Sequence, residues 1–217
     1  TLQRGLSPHA PYTVGPQTLG KVVELARSRR ALMTMHAAES PDETAFLVES
    51  AGDIVDKLYP AVGWHKPMPP YAVNSGGYID KYGALVPGAL LVHGVQFDAD
   101  AIHRIAKIGA SVVLCPRSNA HLGVGRAPVE SYLCQGVNLA LGTDSLASND
   151  SLSLWDEMEF AREFFSPMLN PVQLLAMATI NGARALRLEK QLGALEAEWG
   201  ASFQVLKPQA LPEPENI

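Results

Sequence analysis

Three side chains of metal-ligand type stand where apolar runs break off: His36 after Leu32-Met-Thr-Met35, His93 after Ala89-Leu-Leu-Val92, and Asp144 after Val137-Asn-Leu-Ala-Leu141 and a Gly-Thr pair. Neutral imidazoles with a carboxylate are the ligand set expected of zinc or ferrous iron in a hydrolytic site. Such a site brings the pKa of a bound water towards about 7 and makes hydroxide available. Glu39, three residues past His36, is placed to deliver a proton to a leaving group. Asp144 can serve twice, as a ligand and as a base towards the water. Each residue alone has a bland alternative. A lone strand-end His is commonly a hydrogen-bonded structural residue, a lone Asp before a helix is a cap, and Glu39 is a first-turn helix acid. The joint occurrence at three strand ends is what points to a metal-dependent hydrolase.

The remaining polar candidates are less specific. His9 lies in Ser7-Pro-His-Ala-Pro-Tyr-Thr13 and reads either as a substrate contact or as a structural loop residue. Arg117 carries a guanidinium fork that matches a carboxylate, or it is an exposed Arg with no specific partner. His65, His103 and His121 read as a lid residue, a helix-surface residue and a loop residue. The Met residues and Trp155 read as core.

The positioning elements follow from hydrophobic period and punctuation. A strand end runs into a Pro-bracketed loop over residues 1–15, where prolines exclude a helix interior. Leu19, Val22, Val23, Leu25 and Ala26 recur near helical spacing between Pro16 and Arg30. Ala31 to Met35 is a strand. Ser40-Pro-Asp-Glu43 is a helix start, with a Ser cap, Pro at the first position and acids at the positive end of the dipole, and the helix is expected to reach about Leu58. Residues 59–72, rich in Pro and aromatics, read as a lid or pocket wall. Helices are expected over Ser75 to Tyr82, from an Asp98 cap to Ile108, over Pro128 to Cys134, over Ser151 to Phe165, from Asn170 to Ile180, and over Ala183 to Leu188. Strands are expected over Ala89 to Val92, Ser111 to Cys115, and Val137 to Leu141. Phe203 to Leu206 is one more possible strand before a frayed, Pro-rich tail. Strands alternating with helices, each strand continuously apolar, predict an α/β fold with a parallel sheet buried on both faces. In a (β/α) barrel the strand C-termini form the catalytic face.

Composition bounds the class. The 217 residues are 47% hydrophobic with formal net charge −5 and no basic run longer than Arg29-Arg30, which argues against nucleic acid or an acidic membrane surface as partner. No apolar run approaches the roughly 18 residues of a membrane span. Two cysteines, Cys115 and Cys134, read as reduced thiols of a cytoplasmic protein. The chain starts at Thr1 with what reads as the middle of an element, so a processed or partial chain is expected.

Ser7-Pro-His-Ala-Pro-Tyr-Thr13, His36-Ala-Ala-Glu39, Val92-His93-Gly94, Cys115-Pro-Arg-Ser-Asn119 and Leu141-Gly-Thr-Asp-Ser-Leu-Ala-Ser-Asn149 together resemble the amidohydrolase superfamily, and most closely its aminohydrolase branch, which deaminates adenosine-type nucleosides, guanine or triazines. Asn181-Gly-Ala-Arg-Ala-Leu186 and Gly193-Ala-Leu-Glu196 extend the likeness. The resemblance implies the C-terminal half of a (β/α)8 TIM-type barrel over residues 1–190, from the end of strand 4 to strand 8, with 191–217 leading into part of a small flanking β-domain. It implies one divalent metal, zinc or alternatively iron, held by His36 and Asp144. Glu39 would protonate the ring nitrogen beside the attacked carbon, and His93 would orient the water. His9, Arg117, Ser118 and Asn119 would bind substrate. Within the branch the motifs are most similar to aminodeoxyfutalosine-type deaminases, whose benzoate would give Arg117 a partner. S-adenosylhomocysteine and methylthioadenosine are similar substrates. A guanine or triazine aminohydrolase or chlorohydrolase, and a non-catalytic half-barrel binding module, are the alternatives.

The chain also departs from the family pattern. It has no His-x-His pair, the first three strands are missing, and Ser202 stands where the family usually has Asp. The departures imply an N-terminal half of the same protein in a molecule roughly twice as long; the other expected partner is a small-molecule substrate, and whether a second copy pairs in a homodimer is left open.

Overall fold

The apolar runs that end at the candidate residues lie side by side. In the computed structural model, which describes residues 4–65 and 69–206, they form one parallel sheet with strands in chain order: β1 (Gly5–Leu6), β2 (Leu32–Ala37), β3 (Leu90–His93), β4 (Ser111–Leu114) and β5 (Asn138–Leu141). The connection from β1 to β2 is α1 (Pro16–Arg29). From β2 to β3 the chain runs through α2 (Pro41–Glu49), a π-helical turn (Ile54–Leu58), α3 (Tyr59–Ala61) and α4 (Ser75–Lys81). Next come α5 (Ala99–Ile108) before β4, then α6 (Pro116–His121) and α7 (Val129–Cys134) before β5. Three helices follow: α8 (Leu154–Phe164), α9 (Pro171–Ala178) and α10 (Ile180–Ala185). Parallel strands joined in sequence by helices are the arrangement of a barrel sector, as expected from the alternation.

Helix starts follow local chemistry. The Ser40 hydroxyl accepts the Glu43 N–H at 3.2 Å at the start of α2, Asp98 accepts the Ala101 N–H at 2.8 Å at the start of α5, and Asn170 with Gln173 closes a capping box on α9. Each cap satisfies amide donors that the first helical turn leaves open.

The register assigns the two faces of the sheet. One cross-strand row is Met35, Leu91, Val112 and Leu139, and all four are buried in the main core beneath the helices. The alternate row is His36, Val92, Val113 and Ala140. On that face only a small second cluster forms: Leu90, Ala140 and Ala185, with Leu32 and Val113 partly buried against it. The sheet is thus thickly covered on one side and thinly on the other.

Several expectations are corrected. The helix after Ser40 ends at Glu49, because Ser50 turns left-handed (φ 55°) and Gly52 follows at φ 89° before the π-helical turn. Residues 116–121 form a short helix rather than a loop. Residues 203–206 are not in a strand, and they are exposed. Trp155 is half exposed, its Nε1–H donating to Gln204 Oε1 at 3.0 Å. Of the methionines, Met33, Met35 and Met177 are core. In the described part of 59–72, two tyrosines are anchored to the core while residues 60–65 are exposed. Tyr59 is buried and its hydroxyl donates to the Tyr12 carbonyl at 2.7 Å, while Tyr71 packs edge-on against Phe46 and Tyr78. Residues 1–3, 66–68 and 207–217 lie outside the described residues, and with them part of the expected lid or wall segment and the expected frayed tail. Among those described, no helix is long and apolar enough to cross a membrane. Cys115 is buried, Cys134 is exposed, and both are free.

Candidate active site at the strand ends

His36, His93 and Asp144 each offer one ligand atom within 4.8 Å of the others. The backbone has to bend for this to happen. The register sets His36 beside Val92, one residue short of His93, so a regular strand would send the His93 ring to the opposite face. His93 instead adopts φ 73°, and its ring stacks on that of His36 at 5.4 Å between centroids. Asp144 (φ 59°) and Ala38 (φ 56°) share this left-handed conformation. Of the eight non-glycine residues at positive φ among the described residues, these three gather around one cluster.

The two imidazoles are oriented from behind. His36 Nδ1 donates to the His9 carbonyl at 3.0 Å, and His93 Nδ1 donates to Asn119 Oδ1 at 2.8 Å. Each neutral ring therefore carries its lone pair on Nε2, the form a metal needs. Asp144 Oδ2 accepts the hydroxyls of Ser118 at 2.7 Å and Ser148 at 2.8 Å. Burial pushes the Asp144 carboxyl up, but those two hydroxyls and the His93 and His36 rings outweigh it and hold the group below the ordinary carboxylate range. Two lone pairs and an ionised carboxylate form a donor set that fits a divalent cation. Glu39 Oε1 stands 3.6 Å from His93 Nε2.

His9 sits at the rim, its ring 5.1 Å from that of His36. Its Nδ1 is 2.7 Å from Thr13 Oγ1, which itself donates to the Ala10 carbonyl, so Nδ1 is the protonated nitrogen and Nε2 an acceptor. Burial and the neighbouring His36 push its pKa down and favour this neutral form.

Arg117, Ser118 and Asn119 are all brought to the site, but with partners of their own. Ser118 and Asn119 are buried behind Asp144 and His93, each with a side-chain polar atom bonded to that residue. Arg117 is ringed by carboxylates: its guanidinium pairs with Asp150 and lies 3.7 Å from Asp156 and 3.9 Å from Glu157. It lines a cleft of about 700 Å³ with His121, Ser148, Asn149 and Phe160. His65 and His103 are exposed and outside the cluster.

Sequence reasoning missed a layer of supports. Buried Glu157 accepts the Asn149 amide at 2.6 Å and the Arg117 N–H at 3.3 Å, and Asn149 also donates to the Thr143 carbonyl at 2.7 Å, tying down the loop that carries Asp144. Buried Glu43 accepts the Ala38 and Glu39 N–H groups. Ser148 and Asn149 fall inside a quoted motif; Glu43 and Glu157 look like ordinary first-turn helix acids.

A sequence profile described as "Amidohydrolase family" matches residues 1–217. An aminodeoxyfutalosine deaminase of Deinococcus radiodurans is 35% identical over 191 residues, which cover 85% of this chain and 46% of that protein. A 5-methylthioadenosine/S-adenosylhomocysteine deaminase of Teredinibacter turnerae is 36% identical over 195 residues, covering 87% of this chain and 40% of that protein. The crystal structure of Helicobacter pylori aminofutalosine deaminase in complex with methylthio-coformycin superposes with a TM-score of 0.80 at 29% identity, over 91% of this chain and 48% of that one. That of an adenosine deaminase from Xanthomonas campestris with bound zinc gives 0.77 at 30% identity, over 91% and 42%. The chain spans less than half the length of each of these relatives.

Proposed function

The chain belongs to the amidohydrolase family, and we propose that it supplies the proton-transfer half of a metal-dependent aminohydrolase. The reaction is hydrolytic: water adds to an aromatic C–NH2 carbon of an adenosine-type nucleoside, and ammonia leaves. The observation that carries this reading is the convergence of His36, His93 and Asp144 ligand atoms within 4.8 Å, with Glu39 beside them. Relatives named as deaminases of aminodeoxyfutalosine and of methylthioadenosine or S-adenosylhomocysteine support the substrate class.

His36 and Asp144 would hold the cation, and the zinc of the adenosine deaminase neighbour supports zinc over iron. A bound cation supplies Lewis acidity, bringing the pKa of a water to about 7. His93, with its lone pair on Nε2, orients the attacking water. Asp144 would accept a proton from that water and pass it to the departing amino nitrogen, so that the C–N bond breaks with release of ammonia. Glu39 carries a proton to the ring nitrogen next to the attacked carbon, which takes up the developing negative charge. His9 presents an acceptor to a donor group of the substrate. We assign Arg117, Ser118 and Asn119 to positioning, since the Arg117 guanidinium, the Ser118 hydroxyl and the Asn119 Oδ1 are engaged by the chain itself. The strands that close the barrel would come from an N-terminal half of the same protein. The free cysteines support a reducing compartment, the cytoplasm.

Ammonia release from methylthioadenosine, S-adenosylhomocysteine and aminodeoxyfutalosine is the direct test. Glu39→Gln is expected to lower kcat by about 10²- to 10⁴-fold while metal content stays at the wild-type level. A wild-type protein that holds metal and releases ammonia from none of the three sinks the proposal.

A further inference from the structure

We propose that Glu43 is a positioning residue for Glu39, its carboxylate fixing the turn from which Glu39 faces His93. The inference rests on the reading that Glu39 carries the proton. Glu39 Oε1 is 3.6 Å from His93 Nε2, beyond hydrogen-bond range, so this pair does not by itself fix the Glu39 side chain. Its direction is set by the backbone between β2 and α2. That backbone turns at Ala38, an alanine held at φ 56°. The carbonyls of the turn are tied to the segment after β3: the Ala37 oxygen accepts the Gly94 N–H at 3.1 Å, and the Ala38 oxygen accepts the Gln96 N–H at 2.8 Å. Its amides are tied to Glu43, whose Oε1 accepts the Ala38 N–H at 2.8 Å and Oε2 the Glu39 N–H at 3.2 Å.

Glu43 is wholly buried, and the Ser40 cap fixes its own amide. A first-turn acid that served only the helix dipole would gain nothing from that burial, since the favourable field is available at the surface. A carboxylate has two acceptor oxygens for the two diverging donors. Glutamine has one, and its NH2 would meet an N–H head-on.

The test uses the full-length, metal-loaded protein at pH 8, where the Glu43 carboxyl is ionised. Glu43→Gln is expected to lower kcat about 10- to 100-fold with KM and metal content held within twofold of wild type. Glu43→Asp, which keeps both oxygens, is expected to retain more kcat than Glu43→Gln. Because Glu43 acts through Glu39, adding Glu43→Gln to Glu39→Gln should cost nothing further. Amide hydrogen exchange in a peptide spanning residues 36–41 should accelerate in Glu43→Gln, with the strand amides of β4 unchanged. A wild-type kcat in Glu43→Gln, an equal loss in Glu43→Asp, or a full additional loss in the double variant overturns the proposal. If Glu43→Gln does not fold, Glu43→Asp is judged on the same kcat-against-KM split. If the wild type releases no ammonia, the functional reading fails separately, and unchanged exchange at Ala38 and Glu39 overturns the role of Glu43 on its own.

Discussion

Glu43 is under opposing demands. Burial disfavours its charged form, while the Ser75 hydroxyl and the Ala38 and Glu39 amides favour it, and burial wins: the carboxyl is pushed from 4.5 up to about 7. A native state that holds a proton more tightly than the unfolded chain gains stability from it at low pH. The contribution is fully present below 4.5 and is lost as pH rises through about 7. A shift of that size corresponds to on the order of 3 kcal/mol. The stability difference between wild type and Glu43→Gln, followed by urea unfolding from pH 4.5 to 8, should therefore move against the wild type by about that amount. A difference that is flat with pH contradicts the buried titration. Residues such as His36, His93 and Asp144 were legible from sequence because their types are rare at the ends of apolar runs. Glu43 was not, because a simpler cause, the helix dipole, already accounted for an acid in the first turn of α2.

Among the elements, strand ends decide the geometry. His93 closes β3 at positive φ, and Gly94 follows at φ 60°. A Cβ on Gly94 would lie 2.6 Å from Tyr132 Oη and 3.0 Å from Val112 Cγ1. The Tyr132 hydroxyl already donates to the Gly94 carbonyl at 2.5 Å, so that ring cannot withdraw cheaply. Gly94→Ala is expected to cost about 2–4 kcal/mol, the sum of backbone strain and overpacking. Gly136, at φ 71° with nothing within 4 Å of its would-be Cβ, separates the two causes: Gly136→Ala should cost only about 1 kcal/mol. Equal losses in urea midpoint would remove the steric part of the argument. The strands themselves were legible, since each is a short apolar run flanked by turn residues. The break in the helix after Ser40 was hidden because Ile54, Val55 and Leu58 continue an apolar pattern beyond Gly52. The swing of the His93 ring was hidden as well, since side-chain alternation read from sequence assumes a regular φ.

For the molecule as a whole, the asymmetry of the sheet is the informative quantity. One face packs Met35, Leu91, Val112 and Leu139 into the main core, while the other carries the small Leu90, Ala140 and Ala185 cluster and the row on which His36 lies. In a closed barrel that inner face is filled by side chains from all eight strands. Five strands in an open sheet supply only part of that filling, and the solved relatives that superpose on this sheet are about twice as long. His36, His93 and Asp144 lie at the ends of these five strands, and among the described residues the main core packs against the sheet from the opposite face. A cation that binds the native state stabilises it by about 4 kcal/mol at a thousandfold excess over Kd, and by almost nothing when Kd is not exceeded. The 217-residue chain prepared alone should accordingly show little rise in melting temperature on zinc addition at micromolar concentration, and no ammonia release. The same chain joined to the strands that close the sheet should retain zinc through dialysis, melt higher with zinc than after chelation, and deaminate. A 217-residue species that keeps one zinc per chain through dialysis and turns over an adenosine-type nucleoside would overturn the half-barrel reading.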